Sequence, residues 1–517
     1  MERSEPGQKH PEKHVHGRPQ VKGSSFGHDV TYHPLDDSHV VTQSVVINRL
    51  AHCGLDPNNS LVDMPTPMKS LINFVSNCLD RPGLCKMANQ QCTARVPMVR
   101  FLCVIVFLAP FGGCADEEII DNTDPNAPVT INGCTLTGKV VCPGADLRAA
   151  NLNYYNLEKA DFKGADFTDA SLVGADLTKA DLTGADLTGA DLSKADLTDT
   201  KLEMANLRDV VFDEATKVDP KWIIVRNLIT SGGKDTNLLG VDLTGANLIS
   251  ANLAGADLVE TVLDSADLSG ASIAGANLSG ASLKSAVLSG VDLTSAKLIN
   301  ADLTSADLTA ANLDSADLTG AIAAGATMTK AILKGADFSK ADMASATLTG
   351  ADITNATLTR ADLSSAELTK TDLTGTDLTN TIFKKAILTG AILDETDCTG
   401  ADFSGADLVN SQILDAKVMG AVLGGAKLIN SVLEGTLFTA SACTGADFTG
   451  SDMTGVDMTS ASLLSADLTS TVLINANLTQ AQMASATLTG IVWQNTTCPD
   501  GTKSSDHGDT CKENLNF

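Results

Sequence analysis

The sequence predicts an all-β solenoid, a chain wound into a tube, and three observations support that prediction. A five-residue unit recurs along most of the chain, as in residues 175–200, which read ADLTKADLTGADLTGADLSKADLTDT. Aromatic residues make up only 4% of 517 residues, whereas large globular cores depend on them. The hydrophobic fraction of 43% is nevertheless too high for a disordered acidic chain. A fixed period in a low-complexity sequence is typical of repeat architectures.

The chemistry of one unit explains why the chain must coil. Its central position is nearly always Leu, Phe, Ile or Met, the residue two places earlier is usually Ala, and the residue between them is often Asp. In extended chain, Ala and the central residue point to one side and Asp to the other. Because five is odd, a straight strand would send successive central residues to opposite faces, so the chain must turn once per unit. We therefore expect Ala and Leu inside a tube and Asp towards water.

The repeat falls into two runs. Central positions recur every fifth residue from Leu147 to Phe212 and again from Leu238 to Trp493. These runs predict β-helical segments over residues 131–214 and 236–495. The step from 212 to 238 is not a multiple of five, so residues 215–235 interrupt the repeat.

The tandem pattern A(D/N)LxxX covers Ala145–Glu214 and Thr236–Asn495 and resembles the pentapeptide-repeat family. The resemblance implies a right-handed, quadrilateral β-helix with four units in each coil. Residues 20 apart would then stack on each other. The family also includes cytoplasmic members that mimic duplex DNA and protect gyrase. The resemblance therefore offers DNA mimicry as one possible function for an acidic rod.

The interruption has the signals of a short α-helix. Asp219 is a suitable N-cap, Pro220 suits the first helical turn, and Gly232 suits the end. Trp222, Val225 and Ile229 share one helical face, so the sequence predicts a helix over about 220–230, lying against the tube. Two roles are open: Trp222 packs over a joint between coils, or the segment docks a partner. The candidate docking residues are Lys217, Lys221, Trp222 and Arg226.

The beginning of the chain differs from the repeats. Residues 98–113 place an apolar run, Phe101–Phe111, after basic residues and before Cys114. That run is too short to span a bilayer but has the length of a signal-peptide core. The segment resembles a bacterial lipoprotein signal, which implies lipidation of Cys114. Residues 1–97 would then be a leader of low order outside the native product, with translation starting at Met87 or Met98; the alternative is a buried apolar segment after that leader. Residues 114–130 predict an acidic tether.

Cysteines lie in close pairs beside both ends of the repeats. Cys134 and Cys142 precede the first run, whereas Cys498 and Cys511 lie in the segment 496–517 after the second. Such local pairs predict disulfides that tie down end caps in an oxidising compartment. Two further cysteines, Cys398 and Cys443, occupy central positions and are expected to be buried thiols.

Composition and motifs favour a binding or structural role over catalysis. The net charge of −27 opposes direct contact with nucleic acid and anionic lipid. We find no Ser/His/Asp set, metal-ligand spacing or Gly-rich cofactor loop, so the sequence predicts no enzyme, cofactor or metal site. It predicts a lipoprotein rod in a bacterial envelope, on the outer membrane or periplasmic side. The lipid would hold the rod at the membrane, and its partner would be an unknown protein. The alternative is a cytoplasmic DNA mimic that binds an enzyme such as gyrase. The oligomeric state stays open.

Overall fold

The computed structural model describes residues 130–515, and a ladder of parallel β-bridges runs through most of them. Within the first run, Asp146 pairs with Asp166 and Asp166 with Asp186, a register of 20 residues, or four five-residue units. The Leu147 N–H donates to the Asp166 carbonyl at 2.7 Å, and the Asp166 N–H donates to the Ala145 carbonyl at 2.9 Å. Each coil therefore satisfies its backbone against the next one, as a solenoid requires. The predicted β-solenoid is confirmed.

Regular elements are few because each side of a coil usually contributes one bridging residue. The named elements are an antiparallel hairpin of β1 (Thr130–Ile131) and β2 (Cys134–Thr135), α1 (Pro220–Ser231), a parallel pair of β3 (Val472–Ile474) and β4 (Val492–Gln494), and a 3₁₀ turn, η1 (Ser504–His507). The rest of each coil is short bridges and turns.

A left-handed residue turns the chain in nearly every unit. In the first such turn, the Ala150 N–H donates to the Leu147 carbonyl at 3.1 Å, and Ala149 between them has φ 53°. The same position, two residues after the centre, has positive φ in every unit of both runs except the one centred on Phe212. This geometry is that of a type II turn, which favours Gly or Asn at its third residue. It explains the frequent Gly and Asn at this position, which Ser and Lys also occupy in many units.

The core is a continuous column of central and Ala side chains. Leu177 and Leu308 are fully buried, as are nearly all the central residues, and the flanking Ala residues are buried with them. At several positions where Thr replaces Ala, its hydroxyl bonds to the preceding coil, as when Thr261 Oγ1 donates to the Leu238 carbonyl at 2.9 Å. The predicted inward orientation of Ala and Leu is confirmed.

The structure extends the repeat at three of its boundaries. Val141 bridges to Asp161, so Cys142 already occupies a central position, one unit before Leu147. The second run begins with a unit centred on Gly233, whose N–H donates to the Asn252 carbonyl at 2.7 Å. At the far end Thr497 bridges to Asn477, which makes Cys498 a further central residue.

The interruption is confirmed as a helix, but it does not simply lie against the tube. Helix α1 spans Pro220–Ser231, and the Asp219 carboxylate caps it by accepting from the Lys221 N–H at 2.9 Å. Trp222, Val225, Leu228 and Ile229 are buried in the same apolar cluster as the central Leu residues. The helix therefore supplies part of the core itself.

Candidate interaction surface

The four residues predicted as a docking site at the interruption have different environments. Trp222 is only 3% exposed and belongs to the core, so the structure gives it the packing role and leaves it almost no surface for docking. Lys221 and Arg226 are half-buried, whereas Lys217 is exposed. The helix presents its apolar face inwards. Of the four predicted docking residues, only the three basic ones therefore lie near the surface.

Each of these basic residues already contacts the solenoid. Lys217 Nζ lies 2.7 Å from Asp196 Oδ2, and this hydrogen bond raises the pKa of the lysine and lowers the pKa of Asp196 to about 2. Lys221 Nζ lies 4.5 Å from the Trp222 ring centroid and donates to the Thr244 carbonyl at 3.4 Å. These contacts brace the joint between the two runs.

Arg226 lies over an aromatic ring beside the helix. Its guanidinium carbon is 5.7 Å from the ring centroid of Phe212, which is within range of a cation–π contact. Its Nε is buried and has no hydrogen-bond partner among residues 130–515. Of the predicted docking residues, Arg226 is therefore the one with a buried donor that lacks a partner in the described part of the chain.

Gly233 completes the joint because it lacks a side chain. It occupies a central position, where other units place Leu. A Cβ at this residue would lie 2.5 Å from Leu228 Cδ2 and 2.6 Å from Leu253 Cδ2. Leu228 of the helix therefore fills the space that a central side chain would occupy. The sequence analysis missed this residue, although its place five before Leu238 was a readable signal.

The acidic surface is built mainly from the Asp that precedes each central residue. These side chains are half-buried, and they do more than face water as predicted. Asp166 Oδ1 accepts from the Thr168 backbone N–H at 2.9 Å and from the Thr168 hydroxyl at 2.6 Å. The same pattern recurs in many units and forms the Asx turn that Asp and Asn favour. The recurring Asp-Leu-Thr triplet was the sequence signal for this role.

Some lysines cross from one coil to a carboxylate on the next. Lys163 Nζ lies 3.3 Å from Asp181 Oδ2, and Lys284 Nζ lies 3.1 Å from Asp302 Oδ2. Burial raises the pKa of Asp181, but the hydrogen bonds from Thr183, Lys163 and Lys201 outweigh this effect and lower the pKa to about 2. These exposed pairs contribute roughly 0–1 kcal/mol each, so they do not organise a binding pocket.

No described face carries an unbroken column of carboxylates. One stack of bridging residues along the second run mixes acidic, neutral and basic side chains; it contains Asp317, Asp337, Thr357, Asp377, Asp397 and Lys417. Elsewhere exposed aliphatic residues such as Ile322, Ile332 and Ile387 occupy the same position. The surface is therefore acidic on average and locally varied.

Both cysteine pairs are disulfide-bonded, and the predicted lipidation site lies outside the described residues. Cys134 is disulfide-bonded to Cys142, with Cα atoms 5.5 Å apart, and Cys498 to Cys511, with Cα atoms 5.4 Å apart. Cys114 lies outside the described residues, as do residues 1–97, the segment 98–113 and the tether up to residue 129.

The remaining chemistry of the described residues is limited. Cys398 and Cys443 are free, buried thiols, and burial raises the pKa of each to about 12. Residues 130–515 contain no group of three His, Cys, Asp or Glu side chains placed to hold a metal ion. In the same residues, no helix is both long and apolar enough to cross a bilayer.

Comparison with known proteins identifies the repeat. A family model described as pentapeptide repeats (8 copies) matches residues 144–213, 234–410 and 419–490, more than half of the chain. A search of curated proteins gave no match.

Several solved structures are similar to parts of the chain. QnrB1, a plasmid-mediated fluoroquinolone resistance protein, is 21% identical over 29% of this chain and 84% of its own, with a TM-score of 0.20. HetL from the cyanobacterium Nostoc sp. strain PCC 7120, a protein involved in heterocyst differentiation regulation, is 29% identical over 54% of this chain and 97% of its own, with a TM-score of 0.18. A pentapeptide repeat protein from the Arabidopsis thaliana thylakoid lumen is 32% identical over 23% of this chain and 68% of its own, with a TM-score of 0.09. TM-scores this low carry no functional argument.

Proposed function

The chain belongs to the pentapeptide-repeat family, and from that premise we propose that it is a non-enzymatic scaffold, an acidic rod that presents a long surface to a protein partner. The proposal includes a right-handed, quadrilateral β-helix, for which the register of 20 residues is the support. Members of this family are generally structural or interaction proteins rather than enzymes.

The filled interior is the observation that carries the scaffold role. Central Leu and flanking Ala side chains occupy the tube in both runs and are almost completely buried. A small apolar cavity lies inside the tube, where Leu393, Cys398 and Phe403 help to line it, and its accessible walls are apolar. Ligand sites need convergent polar groups in a concave pocket, so binding falls to the outer surface.

We propose that the rod is anchored at Cys114 to a bacterial envelope, on the outer membrane or periplasmic side. The support is the signal-like segment 98–113, together with disulfides at both ends of the repeats, which suit an oxidising compartment. The lipid would hold the chain at the membrane, and the partner would be a protein.

Mass spectrometry and fractionation of native cells test the anchor. We expect a mature chain that begins at a lipid-modified Cys114 and sediments with membranes, whereas a Cys114→Ser variant loses the lipid. An intact mass that includes residues 1–97, or unlipidated protein in the cytoplasm, would contradict the proposal.

Capture of a partner from envelope extract tests the scaffold role. Deleting the interruption is unsuitable because helix α1 forms part of the core. Arg226→Ala removes the predicted docking side chain whose buried Nε has no partner among the described residues, and Lys427→Ala on the distant second run is its control. A partner lost only with Arg226→Ala would place docking at the joint. Equal capture by both variants would exclude Arg226 from the docking site, and the absence of any specific partner would count against the scaffold role.

The DNA-mimic alternative finds no specific support. Duplex DNA presents regularly spaced negative charge, whereas the columns on this rod are broken by Lys, Thr and aliphatic residues. We therefore do not advance it.

A further inference from the structure

One column of repeat units in the second run carries only negative charge over five successive coils. The column runs from residues 371–375 to residues 451–455, and its bridging residues pair in order at the 20-residue register. Its five units contain six carboxylates and no lysine or arginine. The carboxylates are Asp372, Asp394, Glu395, Asp415, Glu434 and Asp452. Each of the other three columns through the same coils contains at least one lysine, so this column is the most negative face of that part of the rod.

Aliphatic side chains occupy the middle of this column. Ile392 and Val432 stand at bridging positions, where Asp is common, and Leu414 stands where many units place Thr or Ser. Val432 is 39% exposed, and Ile392 and Leu414 are half-buried. In the bridge ladder, only the uncharged Gln412 separates Ile392 from Val432. An exposed apolar patch with a polar rim is the usual form of a protein contact site.

Hydrogen bonds within the column hold several of the carboxylates at the rim of this patch. Asp394 Oδ1 accepts from the Leu414 N–H at 2.9 Å, and its Oδ2 accepts from Gln412 Nε2 at 2.5 Å. Asp372 and Asp452 each accept from the hydroxyl of the Thr two residues later at 2.7 Å. Among residues 130–515, no lysine or arginine forms an ion pair with any of the six carboxylates. Their charge is therefore available to a basic partner.

The bridging residues of the column have no open backbone groups. In the middle coil, the Gln412 N–H donates to the Ala391 carbonyl at 2.9 Å, and the Gln412 carbonyl accepts from the Leu393 N–H at 2.7 Å. Ile392 and Val432 pair with their neighbouring coils in the same way. A partner therefore cannot add a strand here and must bind through its side chains. An amphipathic helix does so by laying its apolar face on such a surface.

We propose that this column binds a basic amphipathic helix of a protein partner, with Ile392, Leu414 and Val432 as its apolar contact and the six carboxylates as its rim. The inference rests on the scaffold function proposed above and adds the place and the chemistry of the contact. Successive coils lie about 4.8 Å apart, so Asp372 and Asp452 are about 19 Å apart. A helix covers that distance in about 13 residues. The partner helix therefore has aliphatic residues along one face and Lys or Arg at both ends of that stretch.

The rod contains a matched control for the apolar contact and one for the rim. Val422 is a bridging residue like Val432 and is 38% exposed, but it lies ten residues away, half a coil from the column. Glu260 matches Glu395, because both are exposed and occupy the left-handed turn position, with φ of 55° and 57°. Binding through charge alone would not distinguish the members of either pair.

Fluorescence anisotropy with the full chain tests the apolar contact. The probe is a synthetic helix of about 15 residues, with lysine pairs at both ends and leucine along one face between them. We expect it to bind about tenfold more tightly than a peptide of the same composition whose leucines are spread around the helix. Val432→Ser should weaken its binding by about fivefold, whereas Val422→Ser should leave it within about twofold of the wild type. Equal affinity for the two peptides, or equal losses in the two variants, would overturn the proposal.

The same probe tests the acidic rim. Glu395→Gln should weaken binding by about twofold at low salt, and the loss should disappear near 1 M salt, where the Debye length is about 3 Å. Glu260→Gln should have no effect. Equal losses for Glu395→Gln and Glu260→Gln would show general attraction to an acidic rod and would contradict the assigned rim. All four variants change exposed side chains, so their melting temperatures should equal that of the wild type.

Capture from envelope extract separates this inference from the scaffold function. A specific partner that Val422→Ser retains and Val432→Ser loses, and that contains a basic amphipathic helix, would support the assigned column. A partner that Val432→Ser retains fully, or that only Arg226→Ala loses, would overturn the column and leave the scaffold function standing. The absence of any specific partner would count against the scaffold function itself, whatever the peptide result.

Discussion

The regular coils and the interruption fill the same interior by different means. A coil places one central side chain inside the tube every five residues, whereas helix α1 places Trp222, Val225, Leu228 and Ile229 there with helical spacing. The two runs still meet directly, since the Met204 N–H donates to the Gly245 carbonyl at 2.7 Å. The difference shows that the solenoid tolerates a change of secondary structure if its interior stays filled and the next edge is in register.

Removing the largest side chain of the interruption should have the largest effect. Trp222→Ala leaves a cavity in the core, and we expect it to cost about 3–5 kcal/mol in free energy of unfolding, the range of buried aromatic deletions. Leu308→Ala, in a regular coil, is the matched control at about 2–5 kcal/mol. Urea unfolding measures both. A cost below about 1 kcal/mol for Trp222→Ala would mean that the helix packs outside the core.

Adding one carbon at Gly233 should separate the two regions more sharply. Gly233→Ala forces Leu228 and Leu253 apart, and we expect a loss of about 1–3 kcal/mol. Gly424→Ala is the control, because neither glycine has a positive φ and an added Cβ at Gly424 would meet only the Thr444 carbonyl oxygen, at 3.9 Å. Thermal denaturation compares them. Equal losses would show that contact with Leu228 and Leu253 does not set the cost.

One type of hydrogen bond, from a backbone N–H to an Asp carboxylate, occurs in both regions and should contribute a similar stability in each. At the start of the helix, Asp219 Oδ1 accepts from the Lys221 backbone N–H at 2.9 Å. In a coil turn, Asp166 Oδ1 accepts from the Thr168 backbone N–H, also at 2.9 Å. Asp219→Ala and Asp166→Ala should each cost about 1 kcal/mol. Asn at either position should retain most of the stability. A cost confined to Asp219 would mean that the coil turns hold without their Asp caps.

The smallest expected effect is at the ion pair that joins the regions. Lys217→Ala should cost about 0–1 kcal/mol, because the lysine side chain is 69% exposed. The pKa of Asp196 is lowered from 3.8 to about 2, so its contribution is present above pH 3.8 and is lost as the pH falls through 2. Melting temperatures of Lys217→Ala and the wild type should therefore converge near pH 2. A constant difference down to that pH would assign the effect to packing.

The candidate surface was predicted only in part. The sequence correctly indicated a helix after Asp219 and a buried Trp222, but it left docking open as a second use of the same residues. Helical spacing shows which residues share a face and not which way that face points. Only the packing of α1 shows that this face belongs to the core and that Lys217 and Lys221 brace the joint.

The five-residue period by itself determined the solenoid, because an odd repeat of alternating apolar and polar residues must turn once per unit to keep its Leu side chains together. Tertiary structure decided what depends on neighbours 20 or more residues away. It showed that Gly233 is a central residue whose space is taken by Leu228, and that Cys142 and Cys498 extend the core into both caps. These roles arise from contacts between coils, which the local pattern of one unit does not contain.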